Sequence, residues 1–261
     1  GNPMRATIVV PVRNGASVIP QCLDALNAQD LPANVYEVII VDDGSTDDTA
    51  EVVRRYPGVR LIQQPPAGPA TARNRGIAAA QGDIVLFTDA DCRPRPDWAR
   101  RLVVALEESD AVGAKGTYVS EQRSLVARFV QIEYETKYRQ LAQQESIDFI
   151  DTYAAAYTRA VLEEVGGFDE RFPSPSVEDQ ELSFRVAERG YKMIFVPEAV
   201  VGHLHADSLG SYARKKFRIG YWKALVLSKH PGKAKRDSHT PQVLKLQIAL
   251  TGLLGVTGVV A

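Results

Sequence analysis

Cysteine is nearly absent from this 261-residue chain, which has two, Cys22 and Cys92. They lie far apart and match no metal-ligand spacing. Nothing therefore suggests a thiolate metal cluster or a disulfide framework, and a reducing compartment is the default. Excess charge of one sign is lacking too. Lys and Arg number 31 against 32 Asp and Glu, a net charge of −1, so no global field draws the chain to nucleic acid. No secretory signal opens the sequence, and Gly1-Asn2-Pro3 ahead of Met4 read as a cloning remnant, set aside from fold reasoning. Glycine-rich phosphate loops are missing as well. A dinucleotide fold wants Gly-x-Gly-x-x-Gly after its first strand, but the first β-rich run is followed by Val12-Arg13-Asn14-Gly15-Ala16, with a single glycine. The P-loop pattern is also absent.

What is present is an ordinary globular composition, 45% hydrophobic and 24% charged, long enough to bury one substantial core or two small ones. Strand and helix patterns alternate. Residues 6–12 are β-rich, and residues 17–29 carry helical spacing through Val18, Cys22, Leu23 and Leu26. Residues 36–41 form a second apolar strand. Residues 46–56 read as a helix with Ser45 or Thr46 as its N-cap. Residues 59–63 are a third strand, Pro65 to Pro69 a loop, residues 71–80 an Ala-rich helix and residues 84–88 a fourth strand. This βαβαβαβ order predicts an α/β fold, a mostly parallel sheet with helices on both faces. Ligands in such sheets bind at the carboxyl ends of the strands. Three polar clusters fall there, at Pro11 to Asn14, Asp42 to Ser45 and Asp89 to Asp91, and they are expected to converge.

The fourth strand ends in Asp89 and Asp91, spaced i, i+2, so that both carboxylates leave its end on the same side. Such a pair suits a hard cation, Mg²⁺ or Mn²⁺, whose shell substrate phosphates complete. The plainer alternative is a turn, where Asp is common. Carboxylates at the second strand end, Asp42 and Asp43, can accept hydrogen bonds from a base N–H or from ribose hydroxyls. Together these features suggest a nucleotide read by acids and met at its phosphates by metal. Further on, Glu178 and Asp179 open a helical pattern through Leu182, Val186 and Ala187. Acids in a first turn are favoured by the helix dipole alone, so the pattern does not by itself make them catalytic. Residues 125–144 read as a partly amphipathic helix, a candidate lining for an acceptor entrance.

The tail has its own pattern. Residues 214–245 hold ten basic residues and one acid, Asp237, interleaved with Phe217, Tyr221 and Trp222. That mixture fits an anionic membrane surface. It would also fit nucleic acid, for which nothing else in the chain speaks. Residues 246–261 carry no charge. They fall short of the ~20 residues a span needs. The expectation is the start of a transmembrane helix, with a buried amphipathic helix as the alternative; the preceding positive charge places the catalytic domain on the cytoplasmic face. The expected division is a catalytic domain over residues 4–212, a basic and aromatic membrane-interface segment over 213–242 and the start of a membrane helix over 243–261.

The motifs IVVPVRNG (8–15), VDDGSTDDT (41–49), GPATARNRGIAAAQGDIVLFTDAD (68–91), VGGFDE (165–170), EDQELSFRV (178–186) and VPEAVVGHLH (196–205) occur in this order. With them the chain resembles the family 2 glycosyltransferases, which share the GT-A fold, from about Thr7 to about Trp222. The resemblance implies that Pro11 and Asp43, with Asp42 beside them, contact a base, and that Val12 and Asn14 belong to the same nucleotide site. It puts Arg73 near the donor phosphates and Asp89 at the ribose and metal. Asp91 would ligate the metal and His203 complete the metal and diphosphate site, with His205 a second candidate. It makes Asp179 the base of an inverting transfer and Glu178 a neighbour that orients the site. Ala16 departs from the family, which often has an acid there. The implied activity is Mn²⁺- or Mg²⁺-dependent transfer from a UDP-linked sugar, with no nucleic acid involved, and the tail favours a lipid-linked or polysaccharide acceptor at a membrane. A nucleotidyltransferase and a catalytically silent nucleotide-sugar-binding module are the alternatives. The Gln-x-x-Arg-Trp run of processive synthases is only loosely matched by Arg218-Ile219-Gly220-Tyr221-Trp222, which favours single transfer.

Overall fold

The computed structural model describes residues 4–120, 125–172, 177–203, 226 and 228–232. Its centre is an eight-stranded sheet in the order β3-β2-β1-β4-β7-β6-β8-β5. The first half is the βα alternation read from the sequence. β1 (Ala6–Val12) lies between β2 (Tyr36–Asp43) and β4 (Ile84–Phe87), parallel to both, and β3 (Val59–Gln64) pairs parallel with β2. Ile8, Val9, Val10, Ile39, Ile40, Val41, Val85, Leu86 and Phe87 are fully buried. That is the continuous apolar reading of strands covered on both faces.

The second half mixes directions. β7 (Ala155–Thr158) runs antiparallel to β4 and to β6 (Gly113–Ser120). β6 is parallel to β8 (Met193–His203), with a register irregularity between Lys115 and Thr117, and β5 (Cys92–Pro94) is antiparallel to β8. The parallel half thus presents its carboxyl ends beside a mixed half that supplies the other wall of the site.

Several helix ends differ from the sequence reading. α1 is Ile19–Asn27 and not 17–29, because Pro20 sits in its first turn while Val18 N and Ile19 N close a turn onto Gly15 O. α2 is Thr49–Arg54, with Asp48 at its N-cap and no side-chain cap bond, so neither Ser45 nor Thr46 caps it. Those two residues are bound to Asn14 instead. α3 is Pro69–Ala79 and begins before the expected Thr71, since proline suits a first turn and Gly68, at φ 98°, supplies the preceding left-handed residue. Its small residues bring it onto β1: a Cβ at Gly76 would stand 2.3 Å from Val9 Cγ1.

Further α-helices among the described residues are α4 (Trp98–Glu107), α5 (Leu125–Leu141), α6 (Arg159–Val165) and α7 (Glu178–Glu188). α5 is packed and not only solvated: Tyr138 stacks on Phe195 at 5.5 Å, and Tyr134 meets Tyr118 of β6 at 4.2 Å. Part of the basic tail also rests on the domain. Val226 joins Phe172, Val177 and Phe184 in a small core, Lys229 pairs with Asp169 at 2.6 Å, and His230 Nδ1 lies 2.7 Å from Glu188 Oε2. The rest of the expected interface segment, the expected membrane helix over 243–261 and His205 lie outside the described residues. Among the described residues no helix is long and apolar enough to cross a membrane.

Candidate active site

The three polar clusters do converge at the carboxyl ends of the parallel strands. After β1 the chain turns at Asn14, whose φ of 51° is a left-handed value that Asn tolerates. Asn14 N donates to Ser45 Oγ at 2.8 Å, and Thr46 N donates to Asn14 Oδ1 at 2.7 Å. Gly15 N donates to Thr49 Oγ1 at 2.9 Å and Ala16 N to Asp47 Oδ2 at 3.1 Å. The loops after β1 and β2 are thereby laced together. Ala16 brings no acid of its own, yet Asp47 brings a carboxylate to its backbone. Pro11 is partly exposed, and Val12 is buried within the core.

Asp42 accepts from Ser45 N at 3.0 Å and from Gln63 Nε2 at 3.4 Å. Asp43 accepts from Gln64 Nε2 (2.8 Å), Ala67 N (2.7 Å) and Gly68 N (2.9 Å). Both carboxylates are buried. Three donors compensate the burial of Asp43, and two of them are the backbone amides that lead into α3. A carboxylate at a helix N-terminus is also favoured by the helix dipole. Asp43 therefore ties the end of β2 to the helix that carries Arg73.

Arg73 is 4% exposed and forks between two acids: Nη1 donates to Glu178 Oε1 at 2.8 Å and Nη2 to Asp89 Oδ1 at 3.1 Å. Its guanidinium lies 5.6 Å from the centre of the Phe168 ring. Arg73 Nε is buried with no hydrogen-bond partner among the described residues. Arg73, expected near the donor phosphates, links two carboxylates in this structure. Phe168 belongs to the Gly-Gly-Phe-Asp run, which docks on α3 through Asn74: Phe168 N donates to Asn74 Oδ1 at 2.8 Å and Asn74 Nδ2 to Phe168 O at 2.9 Å.

β4 ends at Phe87, so Asp89 and Asp91 do not share a strand face as the spacing suggested. They lie in the turn between β4 and β5, closed by Cys92 N donating to Asp89 O at 3.0 Å. The turn still brings them together: one potential ligand atom each from Asp89, Asp91 and Cys92 falls within 4.8 Å of the others. Burial, reinforced by both carboxylates, raises the proton affinity of the Cys92 thiol, and a soft thiol is ill matched to a hard cation. Two hard carboxylates remain, a donor set that fits Mn²⁺ or Mg²⁺. The backbone of His203 pairs in register with Cys92 on one side and Ser120 on the other, next in sequence to Asp91.

Glu178 and Asp179 begin α7, but they are not the solvated first-turn acids that the dipole reading would give. Glu178 is 3% exposed and held by Arg73. Asp179 accepts from Gln180 N at 2.8 Å. Burial first, then the Glu178 charge, pushes the Asp179 carboxyl up to about 7, against the opposing pull of Arg73. A carboxyl that ionises near neutrality is matched to proton transfer at physiological pH. Sequence reasoning missed Lys115 and Asp151, an ion pair behind Asp179. A lysine inside the β-rich run Gly-Ala-Lys-Gly-Thr-Tyr-Val was the available signal.

Residues 7–166 match the family described as Glycosyl transferase family 2, and the chain belongs to that family. Glycosyltransferase AglE of Haloferax volcanii is 30% identical over 224 residues, covering 82% of this chain and 71% of AglE. The pre-mycofactocin glycosyltransferase of Mycobacterium tuberculosis is 29% identical over 236 residues, 87% of this chain, which spans 48% of that relative's length. Among solved structures, the mannosyltransferase PcManGT from Pyrobaculum calidifontis, in complex with GDP-Man and Mn²⁺, superposes with a TM-score of 0.67 at 26% identity, covering 94% of this chain and 68% of that one. The protein is a glycosyltransferase with the GT-A-like architecture of an α/β sheet.

Proposed function

We propose that the protein transfers a sugar from a nucleoside diphosphate donor to a hydroxyl or phosphate acceptor with inversion at the anomeric carbon. The observation that carries this reading is Arg73, which joins Asp89 of the carboxylate pair to Glu178 of the Glu-Asp pair and so makes them one site. Pro11, Val12, Asn14, Asp42 and Asp43 form the nucleotide end. Asp89 and Asp91, with His203, would hold Mn²⁺ or Mg²⁺, whose Lewis acidity neutralises the charge that builds on the leaving diphosphate. Asp179 takes the acceptor proton as the acceptor oxygen bonds to the anomeric carbon. The bond from that carbon to the β-phosphate oxygen breaks, and its electron pair leaves with the nucleoside diphosphate. Glu178, held by Arg73, keeps the proton affinity of Asp179 high. No covalent enzyme intermediate is needed.

The family resemblance supports a UDP-linked donor, while the GDP-Man bound to PcManGT makes GDP-linked sugars the other arm of the test. The acceptor reading, lipid-linked or polysaccharide, rests on the basic and aromatic tail, and with it the placement of the domain on the cytoplasmic face of a membrane. Screening UDP- and GDP-sugars for Mn²⁺-dependent release of nucleoside diphosphate tests the donor. Release by wild type that EDTA abolishes supports the reading; no release from any nucleotide sugar, with or without lipid-phosphate and glycan acceptors, would return the chain to a silent binding module.

A further inference from the structure

Lys115 sits in the middle of β6 and is fully buried. A lysine out of water is costly unless it is paired. Its ammonium contacts the Asp151 carboxylate and lies 4.8 Å from the centre of the Phe149 ring and 5.9 Å from that of Tyr153. Asp151 also accepts from Tyr153 Oη at 2.9 Å. Packing alone does not call for this arrangement, since apolar residues of similar volume fill such a place at no loss of stability.

The turn that Lys115 grips is the one that holds Asp179. Thr152, next to Asp151, brings its backbone N–H to the Asp179 side, where it lowers the proton affinity of that carboxyl. Ile150, on the other side, donates its N–H to Ser183 Oγ at 2.9 Å, and Ser183 Oγ donates to the Asp179 carbonyl at 2.7 Å. Ile150, through Ser183, therefore fixes the main chain of Asp179, and Lys115 anchors the turn over residues 150–152 to the sheet.

We propose that Lys115 is a positioning residue for glycosyl transfer, which fixes Asp179 through Asp151 and the turn that follows it. The proposal rests on the reading of Asp179 as the base. Among the described residues, the charged and titratable groups around Asp179 are Glu178 on its own helix, Arg73 from α3, Lys115 from β6 with its partner Asp151, and Tyr157 from β7. Glu178 raises the proton affinity of Asp179 and Arg73 lowers it. Burial pulls the Lys115 ammonium down to about 7, and the Asp179 charge opposes that pull, so the two groups titrate in the same range. Interaction between two sites is mutual, so Lys115 lowers the proton affinity of Asp179 in turn.

Lys115→Gln removes the charge and keeps a donor for Asp151. Its Asp179 carboxyl, followed by carbon NMR with Asp179→Asn to assign the signal, is expected to titrate about one pH unit higher, a tenfold change. The acid limb of Mn²⁺-dependent release from GDP-mannose or UDP-N-acetylglucosamine should move with it, with KM for the donor unchanged. A reciprocal measurement needs no Lys115 variant to fold: nitrogen NMR of Lys115 should show its ammonium titrating lower in Asp179→Asn than in wild type. Unmoved midpoints in both directions would overturn the proposal and leave Lys115–Asp151 a core ion pair. Wild-type turnover in Asp179→Asn, with the midpoints still coupled, would sink the base assignment instead.

Discussion

Arg73 on α3 and Glu178 on α7 stand 105 residues apart in the chain and 2.8 Å apart in the fold. Both are about as buried as any core residue, at 4% and 3% exposure. The same guanidinium holds Asp89, so one cation serves the carboxylates of both halves of the site. Removing one partner of a buried ion pair leaves the other uncompensated, which costs more than the pair itself contributes. Arg73→Met should therefore destabilise the fold by about 3–5 kcal/mol. Urea unfolding measures this, and a loss below about 1 kcal/mol, the range of exposed pairs, would show that the triad is solvated.

Asp91→Asn tests the carboxylate pair. Asp89 and Asp91 meet in the turn between β4 and β5, and a neutral amide at 91 leaves one hard anionic ligand where there were two. Calorimetric binding of UDP or GDP with Mn²⁺ should be strong in wild type, abolished by EDTA and lost in the variant. Binding in Asp91→Asn that ignores EDTA would remove metal from the site.

Asp179→Asn separates function from stability. The amide cannot take a proton, so transfer should fall by about 10²–10⁴-fold, with nucleotide binding kept. In wild type Asp179 ionises at about 7 in the fold, against about 3.9 in an unfolded chain. Its protonated form is thus favoured by folding: that stabilisation is complete below about pH 4 and is lost as pH rises through about 7. Asparagine keeps a neutral group at every pH. Its melting temperature should exceed that of wild type at pH 8 by about 4 °C or more, the shift that 1–2 kcal/mol produces in a chain of this size. The gap should close towards pH 4. A lower melting temperature at pH 8 would mean that Asp179 is already ionised in the fold at little cost.

The parallel half of the sheet was legible because its strands are buried on both faces and read as unbroken apolar runs, as at Ile8, Val9 and Val10. The mixed half was not. β5 is three residues long and contains Pro94, and β7 is built on alanines, so neither shows a strand period. The N-cap of α2 was misread because Ser45 and Thr46 answer to Asn14 and not to their own helix. Spacing brought out Asp89 and Asp91, although a turn and not a strand face unites them. Lys115 stayed hidden because its meaning depends on Asp151 and Asp179, partners that only the fold brings near.

The tail offers the last test. Lys229 is engaged by Asp169 and His230 by Glu188, so the residues that could meet a bilayer are the other bases, foremost Arg214, Lys215, Lys216 and Arg218. Each Lys or Arg near an anionic surface contributes roughly 1 kcal/mol, and salt screens it. A chain ending at Gln242 should co-sediment with phosphatidylserine-containing vesicles at low salt, release at high salt and ignore neutral vesicles. Replacing Arg214, Lys215, Lys216 and Arg218 by Gln should weaken sedimentation and leave nucleotide binding intact, because the site is built from other residues. Should the shortened chain show no preference for anionic lipid, the basic residues serve the domain itself, as Lys229 does, and the lipid-linked acceptor loses its main support.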